Sequence, residues 1–333
     1  MKAVTDSIIQ NTHVPGIVAL VVDHKRGIDW LYTAGYSKIP NKLPMDANYN
    51  FRIGSCTKTM MVTVLLQLVD EGKITLNDKL SKYYAAYPKS DSVTFAMLCN
   101  MTSGISAYVH DPQFLPALIN NPARIWLPQE LADIAFSHDF NFSPGKGWNY
   151  SNSNTIILGQ IIELVTGNTV ESEINSRIVN PLNLTKTGFI TSGITFPVPH
   201  GKGYYMGTYV ENEDLTEHFD ISRGWASGAA YSTPGELQKY SEVLVAGGLI
   251  SDSLQKRRLT DLYIDEVGNH YGLGLMKWSS FYGHKGLVMS FTSVMFHSNA
   301  NDCTVIIYFN CILDLRPDFL SHRFMDILYG DAY

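Results

Sequence analysis

The longest apolar run starts at Met60 and ends at Val69, interrupted only by Thr63 and Gln67. A segment that is apolar nearly all round predicts a helix buried in a core. It should open near Ser55 and stop at Gly72. Ahead of it, Thr5 to Asn11 reads as a short helix. The run from Ile17 to Asp23 is β-branched and apolar, the pattern of a buried strand. Lys25-Arg-Gly27 turns the chain into a second strand, Ile28 to Ala34. Asn41 to Asn48 is a polar loop, and a short strand over Tyr49 to Ile53 leads into the apolar helix.

Beyond Gly72 the period changes to that of helices. Ile74 to Leu80 predicts a turn into a short helix. Val93 to Met101 predicts a helix capped by Ser92 or Thr94, and Pro128 to Ser137 another inside a Pro-punctuated region. The loop Phe142 to Asn152 is rich in Gly and Pro. Thr155 to Val165, ended by Gly167, has the spacing of a buried helix. Val170 to Val179 is a further helix, stopped by Pro181. Gly188 to Thr216 reads as irregular, and Gly224 to Pro234 is rich in small residues. Pro234 to Ala246 is a helix with Pro in its first turn and Gly247-Gly248 after it.

From Tyr271 the pattern returns to β. Tyr271 to Trp278, Leu287 to Phe296 and Cys303 to Asn310 are three candidate strands at hairpin spacing, and Arg316 to Tyr329 is a closing helix. Strands at both ends with helices between predict an α+β fold. One sheet is built from residues 1–75 and 232–333, and a mostly helical region, 76–231, is inserted in it.

Composition narrows the function. The chain is 45% hydrophobic and 17% charged, which suits a packed globular protein and not a disordered one. A formal net charge of −6 without basic runs argues against tracking nucleic-acid phosphates. No apolar stretch reaches the roughly 18–20 residues that span a bilayer. Met1 to Asn11 lacks the basic start and apolar core of a signal peptide. The expectation is a cytosolic protein, or an exported one whose signal lies outside this chain. The four cysteines, Cys56, Cys99, Cys303 and Cys311, form no C-x-x-C and have no His at metal-ligand spacing. They read as free buried thiols, with a Cys303–Cys311 disulfide as the alternative. No metal or cofactor is expected, because H-E-x-x-H, G-x-G-x-x-G and P-loop motifs are absent.

The candidate chemistry starts at Ser55-x-x-Lys58. On a helix, residues three apart share a face with Cβ atoms roughly 5–6 Å apart. The Lys58 amine then reaches the Ser55 hydroxyl, and the helix N-terminus adds N–H groups and partial positive charge. The alternative is a plain cap, with Ser55 as N-cap and Lys58 in solvent. Cys56 would face about 100° away and serve as packing. Tyr150-Ser-Asn152, at a helix start, offers a phenol for proton transfer and an amide for a substrate carbonyl. His284-Lys-Gly286, read as the turn into a strand, offers a close backbone approach at Gly286 and the Leu287 N–H for an oxyanion. An ordinary hairpin turn accounts equally well for that tripeptide taken singly.

Together the three stretches resemble the serine β-lactamase and penicillin-binding protein superfamily, in order and in spacing. They are most similar to the branch holding class C β-lactamases, soluble D-alanyl-D-alanine carboxypeptidases, D-aminopeptidases and esterases. The flanks agree: Phe51-Arg-Ile-Gly54, Met101-Thr-Ser-Gly-Ile105, Pro144-Gly145 with Trp148, Leu158-Gly159, Pro181-Leu-Asn-Leu184 and Tyr271-Gly-Leu-Gly274. The resemblance implies a β-lactamase/transpeptidase-like fold, an antiparallel sheet beside an all-helical region with the site in the cleft between. It implies Ser55 as nucleophile and acyl-enzyme carrier, with Lys58 and Tyr150 moving the proton. It also implies an oxyanion hole from the N–H groups of Ser55 and Leu287, Asn152 holding a substrate amide, and Trp225 as a pocket wall.

The third motif departs from the Lys-Thr-Gly of β-lactamases. His284 takes the first place, as in peptidase and esterase members. Lys285 replaces the hydroxyl that holds a substrate carboxylate; it either attracts that carboxylate itself or points into solvent. The leading expectation is a serine hydrolase of D-amino-acid peptides, amides or esters, with β-lactams as acylating ligands. The alternatives are a β-lactamase and a non-hydrolysing penicillin-binding or sensor protein.

Overall fold

The computed structural model describes residues 1–207, 210–264, 270–288, 290–312 and 317–330. Within them, nine antiparallel strands form one sheet. Its order is Leu43–Pro44, Ile28–Lys38, Gly16–Asp23, Cys303–Phe309, Phe291–Ser298, Phe281–Val288, Met276–Trp278, His270–Tyr271 and Tyr263–Ile264. The two ends of the chain meet near its centre, where Ile17 lies opposite Phe309 and Asp23 opposite Cys303.

The unbroken apolar run at 17–22 follows from burial on both faces of the sheet. Val18, Leu20 and Val22 point into one core, with Met60, Leu65 and Leu68 of the Thr57–Asp70 helix and Leu237 of the Pro234–Ala246 helix. Ile17, Ala19 and Val21 point into another, against Ile8 of the Lys2–Asn11 helix and Leu320 and Phe324 of the Pro317–Tyr329 helix. The Asn152–Thr166 helix is buried from Ser153 to Ile162 and ends at Gly167, left-handed with φ 73°. All four cysteines are buried and free, so Cys303 and Cys311 are not bridged.

Several expectations change. His284-Lys-Gly286 is not in a turn but within the Phe281–Val288 strand. The expected strand Leu287 to Phe296 instead spans the hairpin joining two strands, and its Met289 lies outside the described residues. Tyr271 to Trp278 is two short strands divided at residues 272–275. The middle region is not all helical. It supplies Gly188–Phe189 and Ala230–Ser232 to one small sheet, with Phe51–Arg52, and two strands, Tyr204–Gly207 and Val210–Asp214, to a second. Residues 208–209 and Arg316 lie outside the described residues.

One helix, Asp252–Thr260, gives almost no apolar signal. It is held by Arg258, whose fully buried guanidinium donates to the carbonyls of Leu273 and Thr59 and to Thr63 Oγ1. Polar anchoring of this kind leaves no hydrophobic period to read.

Candidate active site

Ser55 sits in one tight 3₁₀ turn, Gly54–Cys56, that feeds the Thr57–Asp70 helix. Gly54 enters the turn with φ 51°. The Thr57 hydroxyl donates to Gly54 O at 2.6 Å and closes it. Lys58, one turn on, is completely buried. Its Nζ lies 2.9 Å from Ser55 Oγ and donates to Ser227 O at 2.7 Å. It also stands 5.0 Å above the Tyr150 ring centre.

Burial penalises the ammonium form and lowers the Lys58 pKa from 10.5 to about 7. Burial therefore favours the neutral amine relative to an ordinary lysine. An amine that spends a proton on Ser227 O keeps its lone pair for the Ser55 O–H. Tyr150 borders the same space. Burial raises its hydroxyl above the usual tyrosine range, against a smaller lowering by the Ser55 hydroxyl. That buried hydroxyl has no well-formed hydrogen bond, so it is not committed elsewhere. Cys56 is inert by contrast. Its Sγ donates to His284 O at 3.3 Å, and burial pushes the thiol up to about 12.

The opposite wall is the Phe281–Val288 strand. A Cβ on Gly286 would stand 2.0 Å from Ile53 O, and one on Gly54 2.7 Å from Leu287 N. Only glycines let the two backbones approach so closely. Ser293, on the next strand, donates to Ile53 O at 2.9 Å and pins the pair. The backbone nitrogens of Ser55 and Leu287 are thus brought to one corner.

His284 is fully buried beneath this corner. Its Nδ1 lies 2.6 Å from Lys285 O and its Nε2 3.1 Å from the Tyr271 hydroxyl. A carbonyl only accepts, so Nδ1 carries the proton and Nε2 accepts from Tyr271. Burial, with the nearby Lys58 charge, pulls the His284 pKa down to about 3. The ring is therefore neutral and held at both nitrogens. Lys285 neither points into open solvent nor stands free; its Nζ pairs with Asp318 Oδ2 at 2.7 Å.

A cavity of about 340 Å³ opens between these walls. Ser55, Tyr150, Lys285, Gly286 and Leu287 line it, with Trp148, Tyr271 and Trp278 as its aromatic surface. Asn152 opens the Asn152–Thr166 helix, two residues beyond Tyr150. Trp225 is a core residue: a Cβ on Gly159 would lie 2.9 Å from its ring, so the indole fills the space that glycine leaves. Of the other lining residues, Trp148 stands in a flank that carries the resemblance without being read as a site residue, and Asp318 carries no local signal that would have set it apart.

The Beta-lactamase family model matches residues 1–319. The chain belongs to the Beta-lactamase family. Its fold is that of β-lactamase/transpeptidase-like proteins of the serine β-lactamase superfamily. Among family members it is similar to a D-stereospecific amidohydrolase from a Streptomyces species, with TM-score 0.84, 29% identity and 93% of each chain covered. It is also similar to a D-amino acid amidase from Ochrobactrum anthropi SV3, solved with L-phenylalanine, with TM-score 0.81, 25% identity and coverage of 92% and 89%. PbpX of Bacillus subtilis, provisionally named a penicillin-binding protein, is 25% identical over 277 residues. The match takes in 83% of this Beta-lactamase family chain and 66% of PbpX, so the chain spans less than two thirds of that relative.

Proposed function

We propose that this chain is an amidase that carries its acyl-enzyme on Ser55 and acts on D-amino-acid amides or short D-amino-acid peptides. The observation that carries the reading is the buried Lys58 amine 2.9 Å from Ser55 Oγ, with its pKa lowered to about 7. In the first step Ser55 Oγ adds to the substrate carbonyl carbon while its proton passes to the Lys58 amine. The carbonyl oxygen becomes an oxyanion facing the N–H groups of Ser55 and Leu287. Collapse breaks the C–N bond; the leaving nitrogen takes a proton, relayed from Lys58 through the Tyr150 hydroxyl. Water then adds to the ester carbonyl, losing a proton to Lys58 along the same route; collapse breaks the C–Oγ bond, Ser55 Oγ takes that proton back, and the acid product is released.

Substrate class rests on the cavity and on the similar proteins. Trp148, Tyr271 and Trp278 form an aromatic surface suited to an apolar side chain. The amidohydrolase and the amidase are named for D-stereospecific and D-amino-acid substrates. The sheet region, 1–75 with 232–333, would carry Ser55 and the His284–Leu287 strand. The inserted region, 76–231, would carry Tyr150.

The test is a panel of D-phenylalanine amide, a peptide ending in D-Ala-D-Ala, nitrocefin and a p-nitrophenyl ester. The amide is expected to show the highest kcat/KM. Efficient nitrocefin turnover with no amide or peptide cleavage would overturn the reading in favour of a β-lactamase.

A further inference from the structure

We propose that the Lys285–Asp318 pair is a specificity device that makes the acyl site prefer substrates whose leaving end is uncharged, such as an amide, over those ending in a free carboxylate. The inference rests on the acyl-enzyme reading of Ser55 and deepens it.

Lys285 is the residue before Gly286 and two before Leu287, whose backbone nitrogen stands against the Ser55 turn. A lone cation at that distance from a reacting carbonyl would draw in an anionic substrate end, because charge interactions in a partly desolvated cleft reach several ångströms. Here the cation is answered. Asp318, from the first turn of the Pro317–Tyr329 helix, accepts from Lys285 Nζ at 2.7 Å. Both residues line the cavity that holds Ser55. Lys285 and Asp318 are the one lysine and the one aspartate among its described lining residues.

The helix favours a negative charge at this end, since its first turn presents unpaired N–H groups and the positive end of the dipole. The Ser321 hydroxyl closes that turn on Asp318 O at 2.8 Å. His322, beside the pair on the same helix, is pushed towards its neutral form by burial, so it does not restore the positive charge at neutral pH. With side chains 36% and 20% exposed, the pair remains within reach of a substrate while its net charge is zero. An incoming carboxylate must share Lys285 with Asp318, and it meets a like charge in doing so. An uncharged amide end meets neither obstacle.

The experiment compares two Ser55-directed labels on the full chain: an anionic fluorescent penicillin and a neutral fluorophosphonate. The readout is the ratio of their second-order labelling rates, which cancels general loss of nucleophile reactivity or folded protein. Asp318→Asn frees the cation and is expected to raise the penicillin-to-fluorophosphonate ratio about tenfold. Lys285→Gln leaves the carboxylate alone and should lower the ratio, and the double variant should return it close to that of the unaltered protein. Ratios that stay put or move together in both single variants would overturn the inference and leave the acyl-enzyme reading intact. Failure of both labels to modify Ser55 in the unaltered protein would overturn the acyl-enzyme reading, and the inference with it.

Discussion

Two lysines serve the two walls of the site, Lys58 behind Ser55 and Lys285 in the cavity lining, and the fold treats them in opposite ways. Lys58, on the helix wall, is entirely buried, has no carboxylate partner among the described residues, and has its pKa lowered to about 7. Lys285, on the strand wall, is 36% exposed and ion-paired with Asp318. Burial without an anion turns a lysine into a candidate base. Partial exposure beside an anion leaves one as half of an ion pair. The difference comes from surroundings, not residue type, and it divides the proposed chemistry of the site from its proposed selectivity.

The comparison breaks most visibly at Lys58. Lys58→Ala should lower the Ser55 acylation rate about 10³-fold, the scale of removing a positioned general base. Lys285→Gln should leave labelling by a neutral probe within about tenfold, because exposed and paired charges contribute little each. Stopped-flow or gel-based labelling rates compare the two directly. Similar losses in both variants would erase the distinction.

A smaller effect is expected where the walls meet. Gly286→Ala puts a Cβ 2.0 Å from Ile53 O, so the strand must retreat from the Ser55 turn. Acylation should fall about 10²-fold, the cost of losing one oxyanion donor. Stability should fall by about 1–3 kcal/mol, as in other overpacked sites. Labelling rates and thermal unfolding measure the two effects separately.

The pH dependence gives the smallest effect and sharpens the role of Lys58. The acylation rate should rise about tenfold per unit below pH 7 and level off above it, as the buried amine loses its proton. Stability follows the same group. The folded pKa is about 7 and the ordinary value 10.5, so the unfolded chain binds the extra proton between them. Stability from this site therefore rises with pH across that window, by up to about 1.4 kcal/mol per unit. Below pH 7 the cost of a buried ammonium is fully present.

The helix wall was the more legible in sequence. Ser55-x-x-Lys58 is a local spacing, and the apolar run after it declares both the helix and its burial. The strand wall depends on distant partners. His284-Lys-Gly286 reads as a turn because Gly286 breaks the apolar alternation. The structure uses that glycine inside a strand, to clear Ile53 O. Asp318 meets Lys285 across 33 residues of sequence, and no local pattern ties them. The same logic hid the Asp252–Thr260 helix, whose anchor is the buried Arg258. Trp225, expected as a pocket wall from resemblance, fills the gap left by Gly159, a contact between two regions that sequence spacing does not express. Apolar periodicity thus foretold the large sheet and the buried helices, and missed what polar groups assemble at long range.

The central claim is that Ser55, and no neighbouring nucleophile, takes the acyl group. Peptide mass spectrometry after incubation with a penicillin tests it most directly. The account requires one penicilloyl adduct on the peptide carrying residues 54–58, localised to Ser55 and absent from Ser55→Ala. An adduct on Cys56 or on any other residue, or no adduct at all, would contradict it.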